Sequence, residues 1–171
     1  MRRILAAVLV FGLVFVFAAN DQNNDFRGRW KMDRARSESA HQSTPVADIT
    51  LAINRTATEL SIETITSDGQ NSSVSSETLT YKLDGTESTL ETGTGAPVKT
   101  KLRWEGPKLV TEIVRRINNM SVTMQNVLSL GPDGNELTVD RTLTVQHGYQ
   151  SESGKNTGTG RDVFVRTSRR K

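Results

Sequence analysis

Read in steps of two, the chain alternates. Phe26, Gly28, Trp30 and Met32 fall in one phase and Arg27, Arg29, Lys31 and Asp33 in the other, the period of a strand with one buried face. Ile49, Leu51 and Ile53 repeat the pattern, and further runs occur over 60–65, 74–83, 88–92, 98–104, 109–117, 120–130, 137–145 and 162–167. Between them stand SDGQ, LDGTE, GTGAP, WEGPK, INN and GPDGN, each offering Gly, Asn, Asp or Pro where the backbone must reverse. Turns this short make consecutive strands antiparallel neighbours. The predicted fold is therefore all-β, an antiparallel up-and-down meander. Closing it into a barrel of about eight to ten strands removes the two unpaired edges. Residues 34–45, RARSESAHQSTP, leave a short helical turn or a plain loop open, and 146–162, QHGYQSESGKNTGTGRD, read as a mobile loop before the final strand.

The start of the chain has another pattern. In MRRILAAVLVFGLVFVFAANDQ, Arg2 and Arg3 precede an apolar run from Ile4 to Phe17, and small residues come next at Ala18 and Ala19. This is the layout of a secretory signal peptide over 1–18. A cut after Ala18 puts Val16 and Ala18 at the small-residue positions, whereas a cut after Ala19 would put bulky Phe17 there. An uncleaved anchor would need a longer apolar run, roughly 20 residues, so no stable membrane span is expected after cleavage. The expected location is secreted or periplasmic. Residues 19–171 have the length of a single domain with a real core.

Composition changes this picture in three places. Hydrophobic residues at 35% can line one face of a sheet, while aromatics at 5% leave room inside it and few stacking surfaces. The formal charge of +3 is largely the leader's: without Arg2 and Arg3, 20 basic residues face 19 acidic ones. The remaining positive excess crowds into the tail VRTSRRK, with no basic helix or aromatic platform beside it, so no nucleic-acid partner is expected. The absence of cysteine leaves an exported fold to packing and hydrogen bonding, which suits a bacterial envelope better than a eukaryotic secretory route.

Catalytic chemistry has little to stand on. There is no cysteine nucleophile, and His41 and His147 lie near turns without a metal-ligand spacing. The GTGTG stretch lacks the helix and lysine of a phosphate loop. No catalytic residue, metal or cofactor is expected, and the chain does not read as an enzyme.

The stretch DFRGRWKMDRARS resembles the opening strand of lipocalin-like families, whose Gly-x-Trp closes one end of the barrel. VKTKLRWEGPKLV, LSLGPDGNELTVDRTLT and the terminal DVFVR resemble a group of small exported bacterial proteins that share that opening. The resemblance implies a calycin-type barrel with an internal cavity. It also implies structural roles for Gly28 and Trp30, and an arginine from the end of the barrel packed over that tryptophan, for which Arg166 is the match.

Polar residues in the apolar phase mark a candidate site, because a lining that only had to fill a core would not need them. Arg141 interrupts Leu137, Val139, Leu143 and Val145; Arg115 lies between Ile113 and Ile117; Asn126 comes after Met120, Val122 and Met124. A buried guanidinium must be paired or hydrated. An anionic ligand head would meet that demand, and so would an internal carboxylate such as Glu77, Glu112 or Asp140, or a bulge that turns the side chain outward. Met120 and Met124 suit an adaptable ligand wall or gap filling. Trp104 would line the rim opposite Trp30, or pack in the core. Two functions remain open. One is a carrier for a small hydrophobic or amphipathic ligand, contacted by Arg115, Arg141, Met120, Met124, Asn126 and Trp104. The other is a non-catalytic envelope interaction or structural protein, with an unknown protein partner, whose barrel is filled by its own side chains.

Overall fold

The computed structural model describes residues 25–38, 47–67, 74–91, 96–147 and 155–168. The expected signal peptide, His41 and the basic residues 169–171 lie outside them. Ten strands form: β1 (Gly28–Met32), β2 (Asp48–Arg55), β3 (Glu59–Ser67), β4 (Val74–Lys82), β5 (Ser88–Leu90), β6 (Val98–Glu105), β7 (Lys108–Ile117), β8 (Met120–Leu130), β9 (Glu136–His147) and β10 (Lys155–Ser168). They make one antiparallel sheet in the order β4-β3-β2-β1-β10-β9-β8-β7-β6-β5. Each chain neighbour is a sheet neighbour except at one place, between β4 and β5. The first and last strands pair, which curls the meander into a barrel. β4 and β5, by contrast, form the two edges of the sheet.

Full closure is thus not reached, and the reason is local. β5 has three residues and cannot template the nine of β4. The gap is bridged by a side chain: Thr100 Oγ1 of β6 donates to the Thr80 carbonyl of β4 at 2.7 Å.

The tight turns obey their residues. Asn118, between β7 and β8, takes a positive φ of 54°, and Gly106, between β6 and β7, takes 58°, a conformation that Asn and Gly reach at least cost. The stretch after β1 does hold a helical turn, a 3-10 segment over Arg34–Arg36. Asp33 caps it, its Oδ1 accepting from Ala35 N at 3.1 Å. The long loop expected before the final strand is shorter than the sequence suggested. Residues 155–161 belong to β10, paired with 140–146 of β9, because the twelve-residue β9 offers a ladder that Thr157 and Thr159 can join despite the intervening glycines.

Side chains in one phase point inward, but burial is uneven along the barrel. At the end where β1 begins and β10 finishes, Phe26, Trp30, Ile53, Leu60, Leu102, Leu109 and Leu137 are buried. Toward the other end, β8 from Met120 to Val127 and β9 from Asp140 to His147 are only half-buried. One end is plugged and the other is open.

Candidate functional site

The plug is built around Trp30, which is fully buried. Its Nε1 donates to the Phe26 carbonyl at 2.9 Å, so the one polar atom of the ring is satisfied. The Arg166 guanidinium lies over the ring face, 4.0 Å from its centroid. Its nitrogens donate to the carbonyls of Gly134 at 2.8 Å, Asp25 at 2.9 Å, and Arg27. Gly28, buried at φ 128°, adopts a backbone that a side chain would strain. It sits beside the irregularity in register between Arg29 and Trp30, where β1 meets β10.

Above this plug lies a cavity of about 330 Å³, at the lower end of the size range of small-molecule sites. Strands β2, β3 and β4 on one side and β7 to β10 on the other line it. Ile49, Leu51, Leu79, Leu128 and Phe164 give it an apolar wall, while Thr64, Tyr81, Thr111, Asn126 and Arg141 give it a polar one.

The polar side chains form a chain along the barrel wall. Arg141 Nη2 stands 2.8 Å from Asp162 Oδ2 as a charge contact, and among the described residues Oδ2 has no hydrogen-bond donor. Gly160 is the register partner of Arg141. It offers no side chain, so the guanidinium can lie along β10 to reach Asp162. Arg141 Nε donates to Asn126 Oδ1 at 3.3 Å, Asn126 Nδ2 donates to Thr111 Oγ1 at 3.4 Å, and Thr111 is hydrogen-bonded to the Tyr81 side chain. Burial raises the Asp162 carboxyl above its ordinary range, partly opposed by Arg141. Burial likewise pushes the Tyr81 hydroxyl well above its ordinary value, so it stays a neutral donor.

Arg141, Asn126 and Met124 therefore line the cavity. Arg115 is in the same phase closer to the open end, but it holds Glu77, its Nη2 2.7 Å from both carboxylate oxygens. Of the carboxylates proposed as internal partners, Glu77 is the one Arg115 uses. Asp140 instead pairs with Arg161, at 2.6 Å. Met120 sits at the β7–β8 turn, paired with Ile117 and with His147, and does not line the cavity. Trp104 is not at the rim opposite Trp30. It packs beside the plug, 5.9 Å from the Phe26 ring, because β6 ends where β1 begins. Asp162 and Tyr81 escaped the sequence reading. Both were within its reach: Asp162 is two residues before Phe164 and Tyr81 two after Leu79, in the inward phase.

No protein-family model matches the chain, and no curated protein matches it. Solved structures do. A secretory abundant heat soluble protein of Ramazzottius varieornatus is similar at TM-score 0.53 and 14% identity, covering 83% of this chain and 95% of its own. Fatty-acid-binding protein 1 of Echinococcus granulosus gives TM-score 0.50 and 12% identity, covering 84% and 98%. Secretory abundant heat soluble protein 4 of R. varieornatus gives 0.50 and 16%, covering 85% and 96%. At these identities the likeness shows the fold, a calycin-type barrel of ten antiparallel up-and-down strands, nearly closed, in the manner of fatty-acid-binding proteins.

Proposed function

We propose that the protein binds one small hydrophobic or amphipathic molecule inside its barrel, acts without catalysis, and does so outside the cytoplasm. The cavity carries this reading. Protein interiors close on voids, because an unfilled space forfeits the contacts of its lining. Here an apolar wall stops short of its opposite face and leaves about 330 Å³, bordered on one side by neutral and charged polar groups. That combination, an apolar wall with a few convergent polar atoms, is what an amphipathic ligand needs. The same cavity runs against the second reading, a barrel filled by its own side chains. A fatty-acid-binding protein shares the fold, which makes acyl chains the natural first probes. The charged start and apolar run of residues 1–18 support the extracytoplasmic location.

Displacement of an environment-sensitive dye by alkyl alcohols and acids of about ten to fourteen carbons tests the proposal. Binding should saturate at one molecule per chain and be lost in Leu79→Trp, which fills the cavity wall, while Val74→Trp, at an exposed position of β4, should still bind. Absence of displacement by any of these probes, or displacement indifferent to Leu79→Trp, would refute it.

A further inference from the structure

Among the described residues, four charged side chains stand in the inward phase around the cavity: Glu77 on β4, Arg115 on β7, Arg141 on β9 and Asp162 on β10. They form two pairs, Arg115 with Glu77 at 2.7 Å and Arg141 with Asp162 at 2.8 Å, so their charges balance. Each guanidinium that could receive an anion already has a carboxylate. To reach Arg141, an incoming carboxylate would have to draw it away from Asp162, leaving a side chain only 5% exposed as an uncompensated buried charge, which is strongly unfavourable. Arg115 has the more exposed carboxylate, Glu77 at 46%, but a head group held there would sit toward the open end, above the apolar floor.

The neutral groups offer easier terms. The two hydrogen bonds of Asn126 are long, 3.3 and 3.4 Å, and near the outer limit of such bonds. A hydroxyl or carbonyl can join or replace them without separating any charge. Asn126, Thr111 and Tyr81 together present both donors and acceptors.

Resting on the reading that the cavity binds an amphipathic molecule, we propose that at neutral pH it selects an uncharged head, a hydroxyl or carbonyl, over the carboxylate of the same chain length. Asp162 is then the specificity residue: it occupies Arg141 and so excludes acids.

The test measures 1-dodecanol and dodecanoate at pH 7.5 by dye displacement on the full mature chain, in wild type and in Asp162→Asn. Any apolar pocket favours the alcohol to some degree, so the deciding quantity is how far the acid-to-alcohol affinity ratio moves. Asp162→Asn releases Arg141 and should raise that ratio by about tenfold or more. The double variant Arg141→Met/Asp162→Asn should return it toward the wild-type value. Glu77→Gln, nearer the open end, should raise it less, and serves in place of Asp162→Asn if that variant does not fold. Dodecanoate bound as tightly as dodecanol by wild type, or a ratio unmoved by the single variants, overturns this proposal and leaves the ligand-binding reading intact. Failure of both probes to bind overturns both.

Discussion

The two halves of the barrel are made from the same alternating strands and yet behave as different materials. In the plugged half the inward phase carries Trp30, Phe26, Leu60, Leu109 and Leu137, and their burial is complete or nearly so. In the open half the same phase carries Thr64, Thr111, Asn126, Arg141 and, on β10, Gly158 and Gly160. Small and polar side chains cannot reach the centre of a ten-stranded ring, and charged ones must find partners along the wall. The polar chain from Asp162 to Tyr81 hugs β10, β9, β8, β7 and β4, and the middle stays empty. A barrel thus becomes a container through what its inward phase lacks. The plugged half holds the strands in place so that the other half can remain hollow.

Breaking the plug should have the largest effect. Trp30→Ala removes the ring that Arg166 and Phe26 enclose, and a loss of about 3 to 5 kcal/mol is expected for a core aromatic of this size. Chemical denaturation measures it, and near-ultraviolet circular dichroism should lose most of its signal. A variant with unchanged melting would mean that the plug does not hold the fold.

Arg166→Met should come next, at about 2 to 3 kcal/mol, since it removes hydrogen bonds from a charged donor and a cation stacked on the indole. Arg166→Lys sharpens the point: it keeps the charge but loses the planar fork that reaches three carbonyls at once, so most of the loss should remain. In the open half, Met124→Ala should cost only about 1 to 2 kcal/mol, below the usual range for buried methionine, because it widens a cavity that already exists. A loss as large as that of Trp30→Ala would erase the contrast between the halves.

Much of this was legible in the sequence. Period-two alternation and the turn residues marked all ten strands, and β8 ran over 120–130 as expected. The boundaries of β10 did not come through, because Gly158 and Gly160 look like loop residues until a long β9 is there to pair them. The gap between β4 and β5 was equally hidden: alternation reports which face is buried and says nothing about which edge goes unpaired. Within the site, phase counting brought Met124, Asn126 and Arg141 to one wall. It left Trp104 between rim and core, because that position depends on which end of the barrel β6 reaches, a property of the strand's direction in the sheet and not of its own residues. Pairing was the least legible of all. Whether Arg115 meets Glu77 or Glu112 depends on the curvature that brings β4 across from β7, information that no single strand contains.

The smallest effect expected concerns acid, where the two kinds of carboxylate should respond in opposite directions. Asp25 and Asp33 lie near the surface, and hydrogen bonds from Arg27 and Arg36 respectively hold their carboxyls below the ordinary value of 3.8. Such groups release their proton more readily folded than unfolded. They contribute stability above the ordinary value, and that stability is lost as pH falls through their lowered values. Asp162 is the reverse: burial raises its carboxyl above 3.8, with Arg141 opposing. Folded, it binds its proton more tightly than the unfolded chain does. Its ionised form therefore weakens the fold at pH above the raised value, and this penalty disappears as pH falls toward 3.8. Denaturation of wild type and Asp162→Asn between pH 7 and pH 4 should show wild type gaining on the variant as the solution is acidified, whereas against Asp33→Asn wild type should hold nearly level over that range and lose ground only as pH falls below 3.8. Parallel curves for wild type and Asp162→Asn would mean that Arg141 compensates the burial of Asp162 in full, and the hollow half would then be as well satisfied electrostatically as the plugged one.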